Sequence, residues 1–392
     1  MSRLRALLAV ILLFCGAGAV LQPALARAAA ARAGTALVIG ADLSFLPQLE
    51  SHGAVFRDRA GAADAIRILE RHGLDYARLR LWHRPVDGHS GLAEVLGMAL
   101  RLRPRGLGLL LDLHYSDTWA DPGKQRVPAA WAGLGPTALE DSVHRYTREV
   151  VAALVAQGTP PDIVQLGNEI TGGMLWDQGR VGGSYDTPER WQRLGGLLKA
   201  GGLGVRESAP AARIMLHVDC GGNAATSRWF FDHVIAEGVP FDAIGLSYYP
   251  WWHGTLESLS RNLALLANRY DRDLFVVETA YPWTLDNLDA ENNLVGLPGQ
   301  LLPGFAATPI GQAAFLRRLA EVVSATPRGR GRGVFTWAPD WVAAPGLGSA
   351  GENLALFDSS GNLLPGADAL GVRRDEARDA TRTARSRRRP GN

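Results

Sequence analysis

Two glutamates close apolar runs: Glu169 ends Leu166-Gly167-Asn168-Glu169, and Glu278 ends Phe275-Val276-Val277-Glu278. A carboxylate in such a place costs desolvation energy unless something pairs with it, so each needs a partner or a task. One task uses two carboxyls together. In glycoside hydrolysis one carboxyl protonates the leaving oxygen while a second, across the sugar, attacks it or activates water. The structural alternative for either residue is a buried glutamate held by an arginine such as Arg80 or by a neighbouring strand.

The tryptophans point the same way. Of eleven in the chain, Trp82, Trp119, Trp131, Trp176, Trp251, Trp252, Trp283, Trp337 and Trp341 fall at strand ends or in the loops that follow, while Trp191 and Trp229 fall in helical segments. Flat rings with a polar edge suit the faces of pyranose sugars, whereas rings that only close a core would be scattered through it. Trp251, Trp252 and Trp337 flank the segment ending in Glu278 and are the expected stacking positions. Polar strand ends converge on the same mouth: Asp42, Arg80, His114, Asp117, Asn168, Asp219, Tyr248 and Tyr249. Arg80 is expected to keep Glu278 ionised, since a nearby opposite charge lowers a carboxyl pKa. His114 and Asn168 are expected to bond sugar hydroxyls.

Elements that could position these residues recur along the body. Strand-like segments occupy Ala36–Asp42, Tyr76–Leu81, Gly108–His114, Ile163–Asn168, Arg213–Asp219, Phe241–Ser247, Leu274–Glu278 and Gly333–Trp337. Helical periods lie between them, as at Ala62–His72, Leu139–Gln157 and Leu256–Tyr270. Leu109-Leu110-Leu111 and Phe275-Val276-Val277 are apolar without alternation, as parallel strands covered on both faces are. Eight such units predict an α/β fold, a (β/α)8 TIM barrel forming a single catalytic domain over about residues 35–372, with active-site groups at the C-terminal strand ends. A doubly wound open sheet is the weaker alternative, because no GxGxxG follows the first strand.

Several longer segments resemble glycoside hydrolase family 53, the arabinogalactan endo-β-1,4-galactanases. They are Gly40-Ala41-Asp42-Leu43-Ser44, Arg78-Leu79-Arg80-Leu81-Trp82, Asp112-Leu113-His114-Tyr115-Ser116-Asp117, Gly167-Asn168-Glu169-Ile170-Thr171, Gly245-Leu246-Ser247-Tyr248-Tyr249-Pro250 and Glu278-Thr279-Ala280-Tyr281-Pro282-Trp283. The likeness runs from about Val38 to Phe357. It implies a clan A retaining barrel with Glu169 as acid/base and Glu278 as nucleophile, acting on the β-1,4-galactan side chains of pectin and needing no cofactor for the chemistry. Bacterial members often hold a structural calcium in the loop after the seventh strand through a pattern like Asp-x-His-x-Asn. The matching stretch here runs from Asp289 through Glu291 to Asn293, with Glu in place of His, so these three are the candidate calcium ligands and a metal-free loop is the alternative. Cys220 stands where a polar residue is more usual, beside Asp219.

Composition limits the partners. The 392 residues are 47% hydrophobic and 20% charged, with net charge +2. Residues 1–32 carry four arginines and no acid, and residues 373–392 carry eight arginines against three acids, leaving the body between them at about −7. An acidic body is a poor nucleic-acid binder. The Arg-rich tail, 373–392, reads as solvated and disordered. At the N-terminus Arg3 and Arg5 precede an apolar run, Ala6 to Val20, then Pro23 and Ala24-Leu25-Ala26, a secretory signal peptide cut after Ala26. Cleavage removes Cys15 and leaves Cys220 without an intramolecular partner. The expectation is a secreted or periplasmic monomer, free of the membrane after cleavage, whose partner is a polysaccharide. Competing functions are a β-mannanase or β-glucanase of the same clan, a metal-dependent barrel hydrolase built on Asp112, His114, His217, Asp219 and His253, and a non-catalytic carbohydrate-binding barrel.

Overall fold

The computed structural model describes residues 37–370; the signal peptide and the Arg-rich tail expected from the sequence lie outside the described residues. Eight parallel strands close into a barrel. They are β1 (Val38–Asp42), β2 (Tyr76–Leu81), β3 (Gly108–Leu113), β4 (Ile163–Leu166), β5 (Arg213–Val218), β6 (Ala243–Ser247), β7 (Asp273–Thr279) and β8 (Gly331–Thr336). Each neighbours the next in sequence, and β8 pairs with β1 to complete the ring. Every residue of β1, β2 and β3 is buried, including Asp42, Arg78, Arg80 and Asp112, so the apolar run Leu109-Leu110-Leu111 of β3 is covered on both faces while the charged residues must find partners inside the barrel.

Helices α1 (Ala65–Arg71), α2 (Leu92–Leu102), α3 (Pro136–Ala156), α4 (Pro188–Ser208), α5 (Ala224–Ala236), α6 (Leu256–Tyr270), α7 (Pro309–Ser324) and α8 (Gly366–Ala369) follow the strands in turn. Two boundaries differ from expectation for local reasons. Ala62, expected as the first residue of α1, instead ends a small hairpin, Arg57–Asp58 against Gly61–Ala62, and the helix starts at Ala65, where the Asp64 carboxylate accepts the Ile66 amide at 2.8 Å. Helix α3 begins three residues before Leu139, at Pro136, whose fixed φ suits a first helical position. Helix α6 occupies the expected span and turns Leu259, Leu263, Leu266 and Ala267 onto the barrel, with Thr255 capping its first turn.

The barrel interior has an apolar floor made by Val38, Tyr76, Leu110, Ile163, Met215, Ala243, Phe275, Val277 and Phe335. Two glycines make room for its rings. A Cβ at Gly40 would sit 2.1 Å from the Phe335 ring, and one at Gly108 would sit 2.3 Å from Tyr76. Alternation then stacks polar groups above the floor: Arg78 and Arg80 above Tyr76, Asp112 and His114 above Leu110, Gln165 above Ile163, and His217 and Asp219 above Met215. The packed floor makes the C-terminal face the open end.

Candidate active site

Glu278 reaches the mouth through an irregularity. Val277 belongs to the floor, so strict alternation would send Glu278 outward. The register between β6 and β7 instead jumps from Leu246↔Val276 to Ser247↔Glu278, and that between β7 and β8 from Val276↔Val334 to Thr279↔Thr336. Each jump gives β7 an extra residue, a bulge that re-aims the carboxyl inward. Glu169 arrives by another device. Strand β4 stops at Leu166, Gly167 turns left-handed at φ 78°, and Glu169 itself sits at φ 50°. A left-handed non-glycine costs about 1–2 kcal/mol, and such strain clusters at sites where geometry matters.

The carboxyls open into one cavity of about 630 Å3, lined also by Asp42, Arg78, Arg80, His114, Asn168, Asp219 and Tyr249. Five of the nine loop tryptophans, Trp119, Trp251, Trp252, Trp337 and Trp341, supply aromatic wall. Trp252 is 61% exposed, whereas Trp337 is wedged edge-on against Tyr249 and Trp341.

Beneath the cavity Arg78 gathers the acids. Its Nη1 donates to Asp42 at 2.7 Å, and its Nη2 meets Asp112 at 2.8 Å, Asn168 Oδ1 at 2.7 Å and Glu278 Oε1 at 2.8 Å. Its Nε donates to Gln165 at 3.3 Å. Burial opposes its charge, but Asp112, Glu278 and Asp42 together outweigh that and hold it charged. The partner expected for Glu278 was Arg80; the structure corrects this to Arg78. Arg80 points to the rim, where its guanidinium lies 4.7 Å from the Phe45 ring, 4.7 Å from Trp82 and 4.0 Å from Trp119, and its Nε donates to Ser90. Burial among those rings brings its pKa down to about 10.

The two glutamates occupy different environments. Burial raises Glu278 to about 7 against the pull of Arg78, and the Tyr249 hydroxyl donates to its Oε2 at 3.1 Å. Glu169 is pushed well above the usual carboxyl range by burial, and the charges of Glu278 and Asp219 push it further. Its Oε1 meets the Ser247 hydroxyl at 2.6 Å. Both carboxyls are raised by burial and by neighbouring acids, Asp112 and Asp42 for Glu278, and Glu278 and Asp219 for Glu169. Glu278, however, has Arg78 and Tyr249 in direct contact to favour its ionised form, whereas Glu169 has Ser247 in contact and Arg78 acting only at longer range.

The other expected site residues divide. Asn168 lines the cavity, but its Oδ1 is taken by Arg78 and its Nδ2 donates to Ala120 O at 2.9 Å, so it braces the site as much as it faces a ligand. His114 donates through Nε2 to Asp112 at 2.9 Å and accepts at Nδ1 from Trp82 and Ala120, which fixes its tautomer. Asp42 accepts Arg78 and the Ser44 amide. Asp219 keeps a buried Oδ1 without a protein partner, leaving it available to a hydroxyl. Two expectations fail. Asp117 lies outside the cavity and ties loops together by accepting the Arg84 and Ala129 amides. Tyr248 points away on the alternating pattern and donates to Gly254 O, while its neighbour Tyr249 takes the inward place.

The metal-hydrolase alternative loses its ligands to this network. Asp112 accepts Arg78, His114 and Gln165, His217 is bonded to Ser247, and a guanidinium stands among them where a cation would have to go. In the loop after β7, Asp289 accepts the Glu291 and Ser349 amides, at 2.6 and 2.7 Å. Asn293 donates to Asp286 O while its Oδ1 is buried without a partner, as is Glu352 Oε2; burial and then Asp289 raise Glu352. Among the described residues no group of three or more His, Cys, Asp or Glu is placed to hold a metal ion. Of the three expected ligands, Asp289 is engaged by two amides, Asn293 keeps a buried Oδ1 without a partner and Glu291 is exposed beside Gly348; Glu352, beside Asp289, is a hard oxygen donor of the same kind that the sequence expectation did not include.

The sequence expectation did not count Arg78, Asp112, Gln165, His217 or Ser247 among the sugar-site residues, although Asp112 and His217 entered the metal-hydrolase alternative. Their signal was available: each lies two residues from an expected inward residue on its own strand, or on the same face as a floor residue.

The model of the glycosyl hydrolase family 53 matches residues 38–370. The chain is 37% identical over 346 residues to the arabinogalactan endo-β-1,4-galactanase of Cellvibrio japonicus, covering 84% of this chain and 89% of the relative. It is 32% identical to the endo-β-1,4-galactanase of Bacillus subtilis, covering 82% of this chain and 74% of that protein. Among solved structures, the family 53 catalytic domain from Ignisphaera aggregans superposes with a TM-score of 0.81 at 34% identity, covering 85% of this chain and 95% of that one. With the barrel, the paired glutamates and a match across the whole described body, this chain belongs to glycosyl hydrolase family 53 and is a glycoside hydrolase.

Proposed function

We propose that this enzyme is a secreted endo-β-1,4-galactanase that cuts internal galactosyl bonds of pectic galactan with retention of configuration. The observation that carries the assignment of roles is the asymmetry of the two carboxyls. Glu278, against Arg78 and Tyr249, is the group suited to act ionised, and Glu169, raised by burial and its acidic neighbours, is suited to carry a proton.

In the first step Glu278 attacks the anomeric carbon while Glu169 gives its proton to the departing glycosidic oxygen, forming a glycosyl-enzyme ester. In the second, Glu169, now ionised, takes a proton from water as the water attacks that carbon and Glu278 leaves. Arg78 stabilises Glu278 both as attacking and as leaving carboxylate. The open cleft with aromatic wall suits a polymer threaded through it, and the galactan preference is supported by the relatives named galactanases. Secretion is supported by the leader in the sequence. A loop calcium would be held by Asp289, Asn293 and Glu352 and would contribute stability rather than chemistry.

The test is a reducing-sugar assay on potato galactan beside mannan and carboxymethyl cellulose. Release from galactan with a rapid fall in polymer size supports the proposal. Preference for mannan or cellulose would transfer the assignment to the related endo-glycosidases.

A further inference from the structure

The hydroxyl of Ser247 and the imidazole of His217 form a chain behind Glu169 that can be satisfied in two ways. Ser247 Oγ lies 2.6 Å from Glu169 Oε1 and 2.9 Å from His217 Nε2. On the other side of the ring, His217 Nδ1 has an acceptor at 3.0 Å, Asn168 Oδ1, and donors in Gln165 Nε2 at 3.0 Å and the Glu169 amide at 3.4 Å. Ser247 and His217 are fully buried, so an unpartnered proton or lone pair in the chain is costly.

With Glu169 ionised, only one arrangement satisfies every atom. Ser247 donates to Oε1, His217 Nε2–H donates to Ser247, and Nδ1 accepts from Gln165. With Glu169 protonated at Oε1, that carboxyl donates to Ser247, so the serine hydrogen must turn to His217. Nε2 must then be bare and Nδ1–H donates to Asn168, while the Glu169 amide and Gln165 Nε2 give up Nδ1 as an acceptor, which makes this the costlier of the two arrangements. The states differ by the one proton that Glu169 holds, because the imidazole is neutral in both and only exchanges Nε2–H for Nδ1–H.

We propose that Ser247 and His217 are positioning residues that hold the Glu169 carboxyl in both of its protonation states, with the neutral tautomer of His217 following the proton on Glu169. This rests on the acid/base role assigned above, which requires Glu169 to be a proton donor in one step and an acceptor in the next without losing its place. A side chain bonded in one state only would be released in the other.

The surroundings keep the ring neutral. Burial and then Arg78 press His217 well below the usual imidazole pKa; Asp112 acts against this, while His114 and His253 add to it. The charged groups facing Glu169 itself are Glu278, Asp219 and Arg78. None of these side chains is hydrogen-bonded to the Ser247 hydroxyl, which is the side-chain link between Glu169 and His217.

The experiment is long-range 15N–1H correlation on the full-length enzyme labelled in its histidines, titrated from about pH 4 to 9, with His217 identified by its loss in His217→Gln. The expected result is a protonated Nδ1 on the acidic side and a protonated Nε2 on the alkaline side, with the exchange centred on the Glu169 titration and absent in Ser247→Ala. In the same variant the alkaline limb of kcat/KM moves up by about 1 pH unit, because the charge-assisted bond lost from the carboxylate is stronger than the neutral bond lost from the acid, and Ser247→Thr restores it. One tautomer throughout, or an imidazolium, in the wild-type enzyme overturns the proposal even if Ser247→Ala fails to fold. Lower activity in a folded Ser247→Ala with an unmoved limb and an intact exchange also overturns it. The tautomer readings come from resting enzyme, so an inverted product or inactivity on galactan would refute the functional assignment separately.

Discussion

Arg78→Lys separates the arginine that serves the nucleophile from the one beside it. The guanidinium meets five side-chain acceptors, Asp42, Asp112, Asn168, Gln165 and Glu278, at 2.7 to 3.3 Å. An ammonium has three hydrogens, so at least two acceptors lose their donor. At about 1.5–3 kcal/mol for a hydrogen bond to a charged group, the loss is at least about 3 kcal/mol, shared between stability and transition state. The sign for Glu278 follows from its surroundings. Burial raises its pKa and Arg78 lowers it, so weakening that contact raises it further. The nucleophile must be ionised, and the acidic limb of kcat/KM therefore moves to higher pH. We expect about a 100-fold loss of kcat/KM on galactan near pH 5 and a smaller loss near pH 8. The control is Arg80→Lys, whose parent guanidinium rests on three aromatic rings and bonds Ser90; it should alter KM without moving the acidic limb. Wild-type kcat/KM and an unmoved limb in Arg78→Lys, or a moved limb in Arg80→Lys, would refute this reasoning.

Other expectations follow from the same contacts. Glu169→Gln should lose about 10²–10⁴-fold on galactan yet retain activity on galactosides with acidic leaving groups, while Glu278→Gln should be inactive on both; equal losses on an aryl galactobioside would dissolve the division of roles. Trp252→Ala removes a ring that is 61% exposed, so KM for galactan should rise roughly five-fold, about 1 kcal/mol, with Tm unchanged; unchanged KM would make the ring a surface residue without a sugar. Thermal unfolding in EDTA, CaCl2 and matched MgCl2 should show a rise specific to calcium, equivalent to about 2.7 kcal/mol at a hundredfold excess over Kd, that Glu352→Gln removes. The same Tm in all three would leave the orphaned Asn293 and Glu352 oxygens without a metal.

Much of the fold was legible because its signals are local. The eight strands fall on the eight expected segments, two of which, around Leu109–Leu111 and Phe275–Val277, are apolar without alternation, and α6 appears on its expected span. The inward-facing polar layer was harder to read. Arg78 and Arg80 share a strand face, and no single-sequence feature says which lies over the floor beside Glu278 and which stacks on Phe45, Trp82 and Trp119. The choice is made by barrel stagger, a property of eight strands together. Tyr248 and Tyr249 were both placed at the mouth and only Tyr249 is there, since on a period of two neighbouring side chains point in opposite directions. Asp117 was misread because an acid in a loop rich in aromatics is as well used in capping amides as in binding sugar. Glu169 and Glu278 were found through the cost of a carboxyl at an apolar strand end, but the devices that aim them, a left-handed turn and a bulge, were not visible beforehand.

The most direct test of the assigned chemistry is the anomeric form of the first product, followed by 1H NMR in the minutes after enzyme is added to galactan or a galacto-oligosaccharide. Double displacement through Glu278 predicts that the new reducing end appears as β-galactose and only later equilibrates with the α form. α-Galactose as the first-formed anomer would mean that water attacks directly, and would contradict Glu278 as nucleophile.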